Sequence, residues 1–209
     1  MSDAVKGLRQ AKTAETEQRI LDAARRLFVR DGYHATTLTE VADAAGVGHR
    51  TVYVRFGTKA ALLKRVTDIA VAGDTRPLDV AHRDWFGLAL RAPTLAERVE
   101  VLARGIAELM ERAGDLFEVV RQAEATEPLL AEAFQAGRED SRANLHAFVR
   151  QAVADGLVRD LDVEWLMETA AVVSQAETYL LLRRIAHWTS SDYRAWLTTT
   201  LSRVFQSVH

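Results

Sequence analysis

The chain has 209 residues, no cysteine and a formal net charge of −2, a length that suits one large or two unequal domains. Hydrophobic residues make up 48%, which excludes a disordered chain, and the missing thiols exclude disulfides and thiolate metal sites. No apolar run approaches the ~20 residues of a membrane span, and residues 1–13 lack the apolar core of a signal peptide, so a soluble, cytoplasmic protein is expected.

Only three prolines occur, and the abundant Ala, Leu, Arg and Glu lose little side-chain freedom in a helix. Residues 1–15 read as a mobile basic arm carrying Lys6, Arg9 and Lys12. A first helix is expected from about Thr16 to Arg30, with Ile20, Leu21, Ala24, Leu27 and Phe28 at helical spacing. Asp31-Gly32 stops it, glycine being suited to a left-handed C-terminal position. Thr37 and Glu40 form a capping box that opens a short helix to Ala45. Gly46-Val47-Gly48 breaks the chain before another short helix from about His49 to Phe56. After Gly57-Thr58 comes a helix with Leu62, Leu63, Val66, Ile69 and Ala70. Gly73 to Pro77 reads as a linker between a first domain at 16–73 and a body at 78–209.

The body reads as helical throughout. Leu95 to Leu109 marks one helix and Leu116 to Ala123 a short one. Leu129 to Ala152 marks a long one, ended by Asp155-Gly156. Trp165 to Leu180 and Tyr193 to Phe205 mark the last two. No strand-like alternation and no internal repeat is visible.

Leu38 to Gly57 has the spacing of a helix-turn-helix. Ala42 stands where a large side chain would push the second helix away, and Gly46 stands at the turn, where positive φ is cheap without Cβ. Val41, Val47, Val52 and Phe56 are apolar where the helices would touch. The second helix is left to expose His49, Arg50, Thr51, Tyr53 and Arg55, a face of donors and an aromatic that suits a major groove. Residues 1–65 hold 12 Lys and Arg against 7 Asp and Glu, and the remainder 15 against 22, so a basic third precedes an acidic body. An ordinary αα-hairpin shares the Gly-centred turn; the charge, the small residue and the polar outer face together favour DNA.

At these residues the chain resembles the TetR family of transcriptional repressors. The resemblance runs through Ile20-Leu21-Asp22-Ala23-Ala24, Leu27-Phe28, Thr36 to Ala42, Ala45 to Gly48 and Thr51 to Leu62. It implies an all-α fold of about nine helices: an N-terminal three-helix helix-turn-helix DNA-binding domain and a larger C-terminal helical domain for ligand binding and dimerisation. It implies that Thr37 and Lys59 hold phosphates, that Tyr53 meets phosphate or base, and that His49, Arg50 and Thr51 occupy base-reading positions. Arg50 is the candidate for a bidentate guanine contact, and Thr39 stands where some members carry a basic base-contacting residue. A homodimer is expected through Trp165, Val172, Val173, Ala176, Leu180, Trp196, Leu197, Leu201 and Val204, on two adjacent amphipathic helices able to close on a copy by two-fold symmetry. Expected lining residues for a small apolar effector are Trp85, Phe86, Met110, Phe117, Gln122, Phe134, His146 and Tyr179. The implied function is a ligand-released repressor on a palindromic operator, with double-stranded DNA, effector and a second copy as partners and no membrane. No cofactor, metal site or catalytic constellation is expected: the six histidines lack metal-binding spacing, and no serine lies in a G-x-S-x-G context.

Overall fold

The computed structural model describes residues 2–73, 80–159 and 162–206, and the side chains of 2–6 and 8–10 lie outside that description. Ten α-helices follow in order: α1 (Ser2–Ala35), α2 (Leu38–Ala45), α3 (His49–Phe56), α4 (Lys59–Ala72), α5 (Asp84–Arg91), α6 (Leu95–Ala123), α7 (Pro128–Ala154), α8 (Val163–Ser174), α9 (Ala176–Ala186) and α10 (Ser190–Gln206). A 3₁₀ turn, Val80–His82, precedes α5, and no strand occurs among the described residues. The all-α expectation holds among the described residues, which form ten α-helices rather than about nine.

The chain divides into two compact units, Met1–Asp68 with Asp115–Phe134, and Ile69–Gly114 with Gln135–His209. The expected linker at Gly73 to Pro77 falls mostly within 74–79, outside the described residues. In the first unit, Ile20, Ala23, Ala24 and Phe28 of α1, Val41 and Ala42 of α2, Val52 of α3 and Leu62 and Leu63 of α4 are fully buried. These are the apolar stripes the periodicity marks, each turned towards the others, as an amphipathic helix requires. In the second unit, Leu102 and Ala103 of α6, Phe148 and Val149 of α7, Leu166 and Ala170 of α8 and Tyr193, Leu197 and Leu201 of α10 form the core.

Three boundaries differ from expectation. Helix α1 begins at Ser2 rather than near Thr16, so the backbone of the expected arm is helical; the side chains of Lys6 and Arg9 lie outside the described residues, and Lys12 is exposed. Helix α1 is interrupted where the sequence says it should be, at Gly32 (φ 80°, ψ 176°). Helix α6 runs unbroken through Gly114, which the sequence places between two helices. That glycine serves close approach: a Cβ there would stand 2.7 Å from Cε1 of Tyr179. The helix expected from Trp165 to Leu180 is split at Gln175, which has extended backbone (φ −71°, ψ 152°). The carbonyls released by the break are reused: Val172 O accepts the Thr178 hydroxyl at 2.7 Å, and Val173 O accepts the Tyr193 hydroxyl at 2.9 Å. Such partners offset the cost of unpaired backbone groups.

Candidate nucleic-acid interface

The turn between α2 and α3 is built by local chemistry. The Thr37 hydroxyl accepts from Glu40 N at 3.2 Å, and Thr37 N donates to the Glu40 carboxylate at 2.9 Å. This reciprocal capping box fixes where α2 starts. At its other end Gly46 is left-handed (φ 63°), and its N–H reaches the carbonyls of Ala42 and Asp43. Val47 N then donates to Ala42 O at 3.0 Å, so the chain reverses within three residues and α3 starts at His49. Val52 is the one residue of α3 that is fully buried, and the buried residues of α2 are Val41, Ala42 and Ala45; Val47 and Phe56 are half-buried.

That single anchor turns the opposite side of α3 outward. His49, Arg50, Tyr53 and Val54 are exposed, at positions i, i+1, i+4 and i+5 of one face. Tyr53 is 67% exposed and Val54 71%. Arg50 makes no hydrogen bond or ion pair among the described residues, so all five guanidinium donors face solvent. Thr51 is half-buried, and Thr37 and Thr39 are exposed on the α2 side.

Besides Thr37, whose hydroxyl and amide are both bonded to Glu40, three more of the expected contacts are engaged within the chain. His49 Nε2 lies 2.9 Å from Asp43 Oδ1. Arg55, expected on the outer face, is turned back to Glu17 of α1 at 2.9 Å, because residue 55 lies on the flank facing α1. Lys59 donates to Tyr33 O at 2.7 Å, with its ammonium 4.2 Å from the Tyr33 ring centroid. Burial lowers the pKa of that ammonium, opposed by the nearby carboxylates of Glu127 and Glu40. An ammonium has three donors, so the Tyr33 carbonyl occupies only one.

Sequence reasoning missed Val54. Its signal is the helical repeat: a residue two beyond a buried one falls ~200° away, on the outer side. It also missed the support beneath Lys59. The Tyr33 hydroxyl donates to Glu127 at 2.7 Å, and burial beside that carboxylate raises the phenol's pKa.

The remaining expected residues spread over both units. Phe117 and Phe134 pack on one another in the first unit, ring centroids 5.8 Å apart. Gln122 lies there too, exposed and bonded to Tyr33 N at 3.4 Å, since its amide closes over the side-chain-free Gly32. In the second unit Trp85 is half-buried, and Phe86, Met110 and Tyr179 are buried. The Trp85 ring lies on Gly105, where a Cβ would come within 2.2 Å of it. His146 is largely enclosed, its Nε2 3.4 Å from Glu168 Oε1 and outside hydrogen-bond geometry.

Of the expected dimer residues, Trp165 and Val172 are exposed, Val173, Leu180, Trp196 and Val204 half-buried, and Ala176, Leu197 and Leu201 buried. Leu197 and Leu201 are wholly enclosed by the chain's own core, and Ala176 leaves little of its surface open. The apolar surface on α9 belongs instead to Leu181 and Ile185, the latter 65% exposed. Among the described residues no three His, Asp or Glu side chains could hold a metal ion, and no helix is long and apolar enough to cross a membrane.

Residues 20–66 match the family model described as bacterial regulatory proteins, tetR family. The uncharacterized HTH-type transcriptional regulator YvkB of Bacillus subtilis is 45% identical over 49 residues, 23% of this chain and 26% of that one. The HTH-type transcriptional regulator AcrR of Shigella flexneri is 41% identical over 56 residues, 27% of this chain and 26% of that one. The chain thus matches about a quarter of the length of these relatives. The transcriptional regulator FadR of Bacillus subtilis, solved in complex with stearoyl-CoA, superposes with a TM-score of 0.70 at 18% identity over 92% of this chain and 100% of that one, a likeness of fold.

Proposed function

We propose, from the premise that residues 20–66 are the N-terminal domain of the tetR family of bacterial regulatory proteins, that this chain is a sequence-specific DNA-binding transcriptional regulator. The observation that carries the reading is the outer face of α3, where Arg50 and Tyr53 stand exposed on a helix anchored from behind by Val52. A helix so presented fits the major groove. Arg50 reaches base edges, with guanine N7 and O6 as its bidentate match. Lys59 and Tyr53 position the helix on phosphates, which carry affinity rather than sequence, joined by Thr37 once it exchanges Glu40 for DNA; Thr51 and Thr39 stand towards the base edges. His49 contributes once it exchanges Asp43 for DNA.

The protein is a cytoplasmic repressor that acts as a homodimer on a palindromic operator, its two α3 helices ~34–36 Å apart. The copies meet through exposed apolar residues of α8 and α9: Trp165, Val172, Leu181 and Ile185. A small apolar effector binds the second unit among Trp85, Phe86, Met110 and Tyr179, with His146 as a polar anchor, and releases the DNA. The stearoyl-CoA of the FadR complex favours an effector with a long apolar part. Such a ligand must bind the DNA-free conformation more tightly, or it shifts nothing.

The deciding experiment is a mobility shift with a duplex selected from a random pool by the full-length chain, repeated across salt concentrations. Specific binding that weakens linearly in log salt supports the reading; a chain that enriches no sequence overturns it.

A further inference from the structure

The exposed face of α3 holds one residue that neither the core nor electrostatics explains. Val54 is 71% exposed, whereas Val52, on the other side of the same helix, is fully buried. A β-branched side chain loses rotamer freedom in a helix and here leaves its isopropyl group in water, so an outward valine suits a surface that becomes covered. The cover has to be apolar and lie within a polar, donor-rich surface, because Arg50 stands one helical turn before Val54 and Tyr53 beside it, both exposed. Residues i and i+4 are ~6 Å apart along the axis. The major groove offers one apolar group at a base edge, the 5-methyl of thymine.

We propose that Val54 is a specificity-determining residue that packs on a thymine 5-methyl group in the major groove, one or two base pairs from the base that Arg50 contacts. The spacing follows from the helical advance of ~6 Å against ~3.4 Å per base pair. The inference rests on α3 being the helix that enters the groove. Arg50 and Val54 then form a two-letter reader: a guanidinium for guanine and an isopropyl for thymine on adjacent turns. The polar residues beside them hold the helix at the depth at which both reach.

The test uses the full-length chain and the duplex that it enriches from a random pool. Each thymine is replaced in turn by deoxyuridine, which removes the methyl group and leaves pairing and charge intact. One thymine per half-site is expected to be sensitive, its loss weakening wild-type binding about fourfold, the equivalent of one buried methyl group. Val54→Ala is expected to bind the parent duplex correspondingly more weakly, to ignore the same replacement and to keep the wild-type salt dependence. Val54→Thr, which retains one γ-methyl, is expected to keep part of the sensitivity. Wild-type indifference to every deoxyuridine, undiminished sensitivity in Val54→Ala, or a half-site without thymine overturns the assignment while leaving DNA binding intact. A chain that enriches no sequence overturns the functional reading itself, and this inference with it.

Discussion

At the scale of single residues, the structure separates side chains free to meet DNA from those already engaged. Arg50 is free. Arg50→Ala is expected to cost roughly 1–3 kcal/mol of operator binding and to relax specificity at one base, measured by competition among duplexes varied at each position. Lys59 is engaged, its ammonium held between the Tyr33 carbonyl and ring. Lys59→Ala is therefore expected to act twice: it weakens binding to all sequences and flattens the salt dependence by about one phosphate's worth, and it lowers the melting temperature. An unchanged salt slope would remove Lys59 from the phosphate contacts. Thr37 spends its hydroxyl on Glu40, so Thr37→Ala is expected to cost about 1 kcal/mol of stability through the lost cap, read by denaturant titration. Serine at that position should restore most of it.

At the scale of helices, what could be read from the sequence was local chemistry, and what could not was chemistry supplied from far along the chain. The capping box at Thr37, the left-handed Gly46 and the interruption at Gly32 each follow from neighbours within a few residues, and the structure has all three. The continuity of α6 does not: Gly114 looks like a break until the Tyr179 ring, far along the chain, is seen lying against it. The split at Gln175 likewise depends on Tyr193, whose hydroxyl takes up a released carbonyl. In α3, the buried Val52 was legible; the outward Val54 was missed although helical geometry alone would have placed it, and the turn of Arg55 towards Glu17 needed the position of α1. Gly105 offers a test of such close approach. A Cβ at that position would stand 2.2–2.6 Å from carbons of the Trp85 ring, so Gly105→Ala is expected to destabilise the fold by roughly 1–3 kcal/mol through overpacking. Calorimetry should show the loss relieved when Trp85→Leu is added; an additive pair would mean that the ring is not the obstacle.

At the scale of the whole molecule, pH and association each give a test. The largely enclosed Arg98 guanidinium bonds Asp155 at 2.5 Å and, with Gln151, holds that carboxyl below its usual range. A carboxyl whose pKa is depressed by folding stabilises the fold at neutral pH, and that contribution is lost as pH falls below ~4 towards the folded value. The melting temperature is expected to drop over that window, less steeply in Asp155→Asn, which is also less stable at neutral pH. For association, Leu181→Asp combined with Ile185→Asp places charge on the exposed α9 surface and is expected to give monomers in sedimentation with an unchanged helical signal. Dimers that persist would move the interface elsewhere.

The aromatic contacts of the last two helices have an optical consequence. Trp188 and Trp196 stand 5.9 Å apart, Trp196 and Tyr193 5.9 Å, and Tyr193 and Tyr179 5.2 Å. At such spacing, light absorbed by either tyrosine passes to the indoles before it is emitted. The chain therefore carries its own fluorescent gauge of the α9–α10 contact, one that registers a shift between these helices as a change in colour and lifetime without any attached dye.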